Sequence, residues 1–337
     1  MIIETSAPTR VDLAGGTVDI WPLYLFHEKA VTVNFAVDLP ARCRVTARSD
    51  GKIVLRSVDT GESAEFDGLP PLRTTPSLRL LARLIYFFAP TSGLEMVTHC
   101  TAPPGSGLAG SSALNIAICA ALNRMLGLNH DLEELIRIAR DVEAQVIEVP
   151  TGMQDYYPAA YGGIQAIHFS ASGVLREEIQ LDPERLSERL ILIYSGQQRN
   201  SGINNWDVMK RHIDGDREVF RAFEGIIAAA NKTLAALRSG SFDAIDEALA
   251  EEWANRRVLS SGITTPEIDE IVSLAISFGA RSAKVCGAGG GGCLVLSVPE
   301  GRRREIERKL RDRRVQVIDY SIAPKGVSFE TETAGMR

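Results

Sequence analysis

The sequence predicts an α+β protein of two domains, and three observations lead to this prediction. Most of the first hundred residues of the 337-residue chain form alternating or β-branched segments separated by turns. A glycine-rich stretch, residues 103–113, stands between a strand-like segment and a long apolar helix-like segment. The second half of the chain is mainly helical. Because Asp182-Pro183 interrupts the pattern, we expect the two domains at residues 1–185 and 186–337.

The elements of the first domain follow from hydrophobic periodicity and from turn residues. Asp50-Gly51 favours a tight turn, so we expect a hairpin between the strands on either side of it. Leucines at helical spacing predict the first helix, and Asp131 begins a second amphipathic helix after the glycine-rich stretch. The strands, including the first one of the second domain, are expected at residues 31–37, 42–47, 53–57, 94–97, 162–169 and 190–194. The helices are expected at residues 77–88, 114–126 and 131–146.

The second domain is expected to contain long helices and a few strands. The helices are expected at residues 219–237, 242–258 and 266–278, and the strands at residues 293–298 and 315–322. A basic segment, residues 301–314, has acidic residues interleaved and apolar residues at helical spacing. We interpret this segment as a solvated helix face and not as a patch that binds RNA or a membrane.

Bulk properties exclude several classes of function. The formal net charge is −6, so the chain lacks a global basic field, and we expect neither nucleic acid nor membrane as a partner. The five cysteines are scattered, which favours reduced thiols in a cytoplasmic protein, and Cys100, Cys119 and Cys293 are expected in the core. The sequence has no signal-peptide pattern and no apolar run of about 18 residues, so no membrane span is expected. The oligomeric state is not fixed by the sequence, which is compatible with a homodimer.

The glycine-rich stretch predicts an anion-binding loop. Glycines allow backbone N–H groups to turn inward, and the following helix offers unpaired N–H groups and a positive dipole end, which together suit a nucleotide phosphate. A Walker loop is excluded because Ser111 stands where that loop requires lysine. A dinucleotide fold is disfavoured because a second helix follows, where that fold needs a parallel strand that ends in an acid.

Three stretches, in order along the chain, resemble the motifs of the GHMP kinases, the superfamily of galactokinase, homoserine kinase, mevalonate kinase and phosphomevalonate kinase. They are residues 7–19 (APTRVDLAGGTVD), residues 103–113 (PPGSGLAGSSA) and residues 284–293 (KVCGAGGGGC). The resemblance implies a two-domain GHMP kinase fold. Its N-terminal ATP-binding domain is strand-rich, with the phosphate loop in a left-handed-type βαβ unit, and its C-terminal domain is ferredoxin-like and helix-rich. It also implies ATP as the phosphoryl donor and Mg2+ as the metal.

The resemblance assigns nucleotide and metal ligands to this chain. A buried carboxylate on the apolar face of the second helix needs a cation or another partner, and Glu143 stands there. The family has a magnesium-ligating glutamate at about this place, with hydroxyls from the phosphate loop; the alternative is a surface pair between Glu143 and Arg140. The metal ligands are therefore expected to be Ser111, Ser112 and Glu143. The nucleotide-binding residues are expected to be Pro104, Gly105, Ser106, Gly107, Leu108, Ala109, Gly110, Ser111 and Ser112.

The resemblance also assigns the catalytic and acceptor-binding residues. Asp155 matches the catalytic aspartate, which accepts or orients the proton of the attacking hydroxyl, and Arg10 matches the basic residue beside it. Asp19 matches the acid that binds sugar hydroxyls. The alternatives are a turn cap for Asp155, an exposed strand charge for Arg10 and a helix cap for Asp19. The acceptor-binding residues are expected to be Asp19, Gly16, Thr17, Gly289 and Gly290, the last two from a tight glycine loop that supports the phosphate loop.

Within the superfamily, the chain resembles bacterial D-glycero-D-manno-heptose 7-phosphate kinases, which phosphorylate an anomeric hydroxyl. Residues 13–19, 103–107 and 259–269 carry this resemblance. Residues 21–24 and a longer segment, Gln197–Trp206, depart from it, and both could face the sugar. Arg199, in that segment, either binds a substrate phosphate or lies on a loop.

The resemblance therefore implies a kinase of a sugar or sugar phosphate, with the heptose phosphate as the leading candidate. The alternatives are another GHMP kinase of the galactose, fucose, glucuronate or mevalonate type, and a noncatalytic sugar or nucleotide sensor on the same fold. A sensor has no need to retain both Asp155 and Glu143, and this chain has both. Gly15-Gly16 followed by Asp19 favours a polyol over an isoprenoid acceptor.

Overall fold

The computed structural model of the chain describes residues 1–197 and 201–330, and for residues 201–204 it describes the backbone only. Arg199, for which the sequence left open a phosphate contact or a place on a loop, lies outside the described residues. The strands are β1 (Ile2–Ala14), β2 (Val31–Arg48), β3 (Ile53–Ser57), β4 (Ser63–Phe66), β5 (Gly93–Cys100), β6 (Ile164–Ser170), β7 (Gly173–Glu178), β8 (Leu190–Tyr194), β9 (Ser282–Val285), β10 (Cys293–Ser297), β11 (Gln316–Ile318) and β12 (Ser328–Phe329). The helices are α1 (Arg79–Phe88), α2 (Gly110–Met125), α3 (Leu132–Ile147), α4 (Tyr156–Tyr161), α5 (Pro183–Ser187), α6 (Ser201–Ile213), α7 (Arg217–Ser239), α8 (Phe242–Arg256), α9 (Pro266–Ser277) and α10 (Arg303–Asp312).

The strands form two sheets, and the predicted α+β class is confirmed. The larger sheet has the order β12-β1-β2-β5-β3-β4, with β6 paired to the first part of β2 and β7 paired to β6. The smaller sheet has the order β11-β8-β10-β9 and is antiparallel throughout. Strands β5 and β6 both run antiparallel to β2, and α2, α3 and α4 lie between them in the chain.

The predicted hairpin at Asp50-Gly51 is wrong. Strand β5 lies between β2 and β3, where it pairs with β2 in antiparallel and with β3 in parallel orientation. The turn residues reverse the chain, but the backbone N–H of Leu94 then donates to the carbonyl of Lys52 (3.0 Å), which brings β5 into the gap. A Cβ at Gly93 would lie 2.6–2.8 Å from the backbone of residues 51 and 52, so only glycine permits this close approach.

Helices α2 and α3, which line the candidate site, begin in different ways. Helix α2 begins at Gly110, four residues before the predicted start, because Ala109 adopts a left-handed conformation with φ 58° and turns the chain into the helix. Ser111 and Ser112 consequently lie in its first turn. Helix α3 begins with a capping box, in which Asp131 accepts from the backbone of Glu134 (2.8 Å) and Glu134 accepts from the backbone of Asp131 (3.1 Å).

Two other expectations differ in detail from the structure. The described part of the Gln197–Trp206 segment is not a loop throughout, because residues 201–206 belong to α6. The last predicted strand, residues 315–322, is limited to β11 at residues 316–318. The expected domain boundary near residue 185 falls within α5, and the division of the chain into residues 1–185 and 186–337 stays a prediction. The chain returns to the larger sheet at its end, where Ser328 and Phe329 pair with β1.

The two sheets meet over a shared core that α7 and α8 complete. One buried cluster contains Val11 of β1, Val33 of β2, Leu192 of β8, Leu234 of α7 and Leu249 of α8. This packing sets β1, which carries Arg10, against α7 and α8. Of the cysteines predicted in the core, Cys119 and Cys293 are buried and Cys100 is half-buried.

The basic segment and the expected absence of a membrane span can both be compared with the described residues. The basic segment forms α10, whose arginines and lysines pair with Glu305, Glu307 and Asp312, in agreement with a solvated helix face. None of the helices in residues 1–197 and 201–330 combines the length and the apolar character that crossing a bilayer requires.

Candidate active site

A cavity of about 660 Å³ opens between the larger sheet, α2, α3 and the loops of the C-terminal half. All but three of the site residues predicted from the sequence line it. The three that do not are Leu108, Gly289 and Gly290. The predicted residues that line the cavity are Arg10, Gly16, Thr17, Asp19, Pro104, Gly105, Ser106, Gly107, Ala109, Gly110, Ser111, Ser112, Glu143 and Asp155.

The glycine-rich loop forms one wall of the cavity and leads directly into α2. Gly105 and Gly107 have φ values of 67° and 77°, a left-handed conformation that glycine adopts without strain. The first intrahelical bond of α2 runs from Ala113 to the carbonyl of Ala109, so the N–H groups of residues 110–112 have no partner within the helix. These N–H groups and the positive end of the helix dipole make this turn an anion site. Leu108 is fully buried beneath the loop and does not face the cavity.

The C-terminal glycine loop supports the phosphate loop from below. The backbone N–H of Cys293 donates to the carbonyl of Ser106 (2.6 Å), and a Cβ at Gly292 would lie 2.6 Å from that same oxygen. Gly287 and Ala288 line the cavity, whereas Gly289 and Gly290 pack against Ile263. The loop therefore approaches the cavity through Gly287 and Ala288, two positions before the predicted pair.

Glu143 of α3 lies beneath the first turn of α2, buried and without a cationic partner in the described part of the chain. Its Oε1 accepts from the hydroxyl of Ser111 (2.6 Å), and its Oε2 accepts from the hydroxyls of Ser112 (3.2 Å) and Tyr156 (2.6 Å). Burial raises the pKa of this carboxyl, and the three hydroxyl donors oppose that rise. The alternative of a surface pair is wrong, because Arg140 pairs with Asp141 (2.6 Å).

The donor set around Glu143 fits a magnesium ion. The described residues contain no cluster of three or more His, Cys, Asp or Glu side chains placed to hold a metal. Mg2+ does not require one, since it binds one or two carboxylates and completes its shell with hydroxyls, phosphate oxygens and water. A buried carboxylate beside two serine hydroxyls at a phosphate-binding helix end is such a set.

Asp155, which is half-buried, and Arg10, which is buried, form an ion pair in the cavity. Both Nε (2.9 Å) and Nη2 (2.7 Å) of Arg10 donate to Oδ1 of Asp155, and Nη1 donates to the carbonyl of Gly107 (2.6 Å). Although burial opposes the charge, the Asp155 and Asp12 carboxylates raise the pKa of Arg10. Both alternatives are wrong: Arg10 is only 1% exposed, and the Asp155 side chain does not cap α4.

Asp19 provides a second carboxylate on the cavity wall. Its Oδ2 accepts from the backbone N–H of Gln154 (2.9 Å), and a Cβ at Gly152 would lie 1.9 Å from the same oxygen. Burial and the nearby Asp155 carboxylate raise the pKa of Asp19 to about 7. The helix-cap alternative is wrong, because the short helix at residues 23–26 begins after Pro22 and has no side-chain cap.

A buried network of four charges, which no local sequence pattern predicted, lies behind Gly16 and Thr17 of the cavity wall. Lys284 of β9 lies 3.3 Å from Asp12 of β1 and 3.4 Å from Glu252 of α8. Arg256 also pairs with Glu252, and it donates to the carbonyl of Gly16 (2.9 Å) and the hydroxyl of Thr17 (3.2 Å). Burial opposes ionisation of Asp12, but Lys284 and Arg256 lower its pKa overall. The network thus fixes the backbone of Gly16 and Thr17, which face the cavity.

The sequence carries a signal for two of the four residues of this network. Asp12 lies inside the N-terminal motif and Lys284 opens the C-terminal one, so their motifs mark both as candidates. Tyr156 directly follows Asp155, but its contact with Glu143 depends on how α3 and α4 pack. Glu252 and Arg256 read as ordinary charges of an exposed helix in the sequence.

The fold and the site together define a class of protein. Family models for the N-terminal and the C-terminal domain of GHMP kinases match residues 77–163 and 233–316, and together they cover about half of the chain. The chain belongs to the GHMP kinases. It is an ATP-dependent phosphotransferase with an alcohol group as acceptor, and the predicted two-domain GHMP kinase fold is confirmed.

Individual relatives extend this comparison. The chain is 28% identical to D-glycero-alpha-D-manno-heptose 7-phosphate kinase of Campylobacter jejuni, over 96% of this chain and 98% of that protein. It is 26% identical to a mevalonate kinase of Saccharolobus solfataricus, over 75% of this chain and 76% of that protein. The crystal structure of a D-glycero-D-manno-heptose 1-phosphate kinase from Bacteroides thetaiotaomicron has a TM-score of 0.79 at 21% identity, and it covers 99% of this chain and 100% of its own. At that identity, the structural likeness shows the fold alone.

Proposed function

We propose that this chain phosphorylates the anomeric hydroxyl of a sugar or sugar phosphate with ATP and Mg2+, and that D-glycero-D-manno-heptose 7-phosphate is the leading candidate acceptor. The observation that carries the proposal is that Asp155 and Asp19 both line one cavity, and that the anion-binding turn of α2 lines the same cavity. Carboxylates are strong acceptors for sugar hydroxyls, and polyols present several such donors at once. The relative of Campylobacter jejuni supports the choice of acceptor.

Different residues of the cavity have different roles in phosphoryl transfer. The N–H groups of residues 110–112 and the loop before them bind the phosphates of ATP. Glu143, with Ser111 and Ser112, would hold Mg2+, which neutralises phosphate charge when bound. Asp19 and Thr17 orient the acceptor through its ring hydroxyls. The attacking oxygen then forms a bond to the γ-phosphorus, the bond from that phosphorus to the bridging oxygen breaks, and ADP leaves.

The proton of the acceptor hydroxyl goes to Asp155. Because both Arg10 nitrogens occupy Oδ1, the other oxygen of Asp155 is left for the acceptor; no hydrogen bond to Oδ2 forms within the described residues. The Arg10 guanidinium pairs with this carboxylate and stabilises negative charge as it develops. These roles are proposals for Asp155, Arg10, Asp19 and Glu143.

A screen of sugars and sugar phosphates for ADP release tests the acceptor class. It should include heptose 7-phosphates, galactose, fucose, glucuronate and mevalonate, with Asp155→Asn as the control for background hydrolysis. We expect a sugar to be the best substrate. Turnover of mevalonate alone, or of nothing at all, contradicts the proposal.

Phosphorus NMR of the product tests the position of phosphorylation. An anomeric phosphate couples to a single anomeric proton and is labile in acid. Coupling to a CH2 pair instead would show that a primary hydroxyl is the acceptor and would move the chain out of the anomeric kinases.

A further inference from the structure

Tyr156 makes the two oxygens of Glu143 unequal. Its hydroxyl, fully buried, donates to Oε2 (2.6 Å), and the same oxygen accepts from the Ser112 hydroxyl (3.2 Å) with the Asn115 amide nearby (3.5 Å). Among the residues that the structure describes, only Ser111 donates to Oε1 (2.6 Å). A carboxylate oxygen has about two lone-pair sites, so Oε2 is filled by donors while Oε1 has room for one more partner.

This asymmetry bears on which cation the site accepts. Mg2+ requires compact octahedral coordination and takes single oxygens, whereas Ca2+ is larger and readily takes both oxygens of one carboxylate. A carboxylate whose second oxygen is held by a buried phenol cannot turn to present both oxygens without breaking that hydrogen bond.

We propose that Tyr156 is a positioning residue that restricts Glu143 to coordination through one oxygen and thereby favours Mg2+ over Ca2+. The inference rests on the proposed metal site at Glu143 and adds to it the residue that sets its selectivity.

The test compares Tyr156→Phe with a matched control on the same helix. Tyr157 is also buried, and its hydroxyl donates to Glu133 (2.9 Å), a residue that does not line the cavity, so Tyr157→Phe removes an equivalent phenol oxygen elsewhere. Calorimetry measures the binding of a non-hydrolysable ATP analogue while Mg2+ or Ca2+ is titrated, and no acceptor is needed. Substitution of a residue that hydrogen-bonds to a metal ligand typically lowers the affinity for the metal by about tenfold or more. We therefore expect the Mg2+-to-Ca2+ affinity ratio to fall by about tenfold in Tyr156→Phe and to stay unchanged in Tyr157→Phe.

A double-variant comparison shows whether Tyr156 acts through Glu143. In the Glu143→Gln background, Tyr156→Phe should leave the affinity ratio unchanged, because the restrained carboxylate is already gone. Equal changes in Mg2+ and Ca2+ affinity, an unchanged ratio in Tyr156→Phe, or the same change in Tyr157→Phe would overturn the inference.

Glu143→Asp tests the same restraint if Tyr156→Phe does not fold. The shorter side chain draws the carboxylate away from the phenol while it keeps the charge, so the ratio should again fall, and a retained ratio contradicts the inference. If the affinity of the wild-type protein for the ATP analogue does not depend on Mg2+, the proposed metal site at Glu143 is wrong. The acceptor assignment is tested separately, by the sugar screen, and a negative result there does not affect the metal-affinity measurement.

Discussion

Two nitrogens of Arg10 converge on one oxygen of Asp155, although the two residues lie 145 positions apart in the chain. Arg10 lies in β1 and also holds the phosphate loop through the carbonyls of Gly107 and Leu108. A single guanidinium thus joins Asp155 to the phosphate loop at Gly107. The arrangement leaves one oxygen of Asp155 occupied by Arg10 and the other without a hydrogen bond within the described residues.

Asp155→Asn should lower turnover by about a hundredfold or more, the usual range for loss of a general base, while nucleotide binding stays near that of the wild type. The amide is of the same size but cannot accept the proton. Steady-state kinetics and calorimetry with an ATP analogue measure the two effects. Asp141→Asn, at an exposed carboxylate paired with Arg140, is the matched control. Retention of most turnover in Asp155→Asn would show that this carboxylate is structural.

Glu143→Gln should raise the Mg2+ concentration needed for half-maximal activity by about tenfold or more, because the only carboxylate of the donor set is lost. The KM for the acceptor should change little, since the proposed acceptor contacts are at Asp19 and Thr17 and not at Glu143. Magnesium titrations of the initial rate check this. Glu133→Gln, on the same helix but away from the cavity, should behave as wild type. Coincident titration curves for Glu143→Gln and wild type would show that the metal assignment is wrong.

The raised pKa of Asp19, about 7, predicts that acceptor binding strengthens as the pH rises from 6 to 8. The ionised carboxylate is the stronger acceptor for hydroxyl donors, and a larger fraction of Asp19 is ionised at the higher pH. The pH profile of kcat/KM for the acceptor should lose this ionisation in Asp19→Asn. An unchanged profile in the variant would assign the ionisation to another group.

The raised pKa of Asp19 also predicts that the free energy of unfolding falls as the pH rises, whereas acceptor binding strengthens. Because the folded-state pKa of Asp19 lies above its unfolded value, the folded protein binds the proton more tightly, and this stabilisation is lost as the pH rises through about 7. Asp19→Asn should therefore be more favourable for stability at pH 8 than at pH 5. The difference should be on the order of 2–4 kcal/mol, since one pKa unit corresponds to about 1.4 kcal/mol. Denaturant unfolding of the wild-type protein and of Asp19→Asn, each at pH 5 and pH 8, measures this difference in the free energy of unfolding.

Gly292→Ala should weaken nucleotide binding although residue 292 lies in the C-terminal half. The added Cβ would lie 2.6 Å from the carbonyl of Ser106, so the phosphate loop must shift. Gly163→Ala is the matched control, since Gly163 also has a positive φ (73°) but no atom within 4 Å of an added Cβ. Both variants incur the backbone strain, about 1–2 kcal/mol, but only Gly292→Ala should raise the Kd for an ATP analogue. Equal Kd values in the two variants would contradict the prediction.

The sequence alone predicted which residues meet in the cavity better than it predicted the contacts between them. Arg10 stands in the N-terminal motif, the family resemblance pointed to Asp155 and Glu143, and the fold brings all three to one cavity. Their partners depend on long-range packing. The link from Cys293 to Ser106 joins two motifs 187 positions apart, and no local pattern indicates it.

The errors in the fold have the same physical origin. Asp50-Gly51 is a genuine turn, but whether the strands beside it pair depends on β5, which arrives some forty residues later and inserts between them. Turn chemistry acts within a few residues, whereas strand order is decided by which strands can bury their faces together. The start of α2 differs from its predicted position because Gly110, Ser111 and Ser112 have low intrinsic helix propensity, and the tertiary fold imposes the first turn.

The buried charge network has a consequence for how chains of this kind can be recombined. Asp12, Glu252, Arg256 and Lys284 come from three separate regions of the chain, yet their charges balance only as a set. Loss of one member leaves an uncompensated charge in the interior, which typically costs about 3–5 kcal/mol. A chimera that takes its N-terminal half from one parent and its C-terminal half from another will therefore fold only if both parents distribute these charges in the same way. We expect chimeras that keep all four charges to fold. We expect chimeras whose crossover point is chosen by sequence similarity alone, and which lose one of the four charges, not to fold.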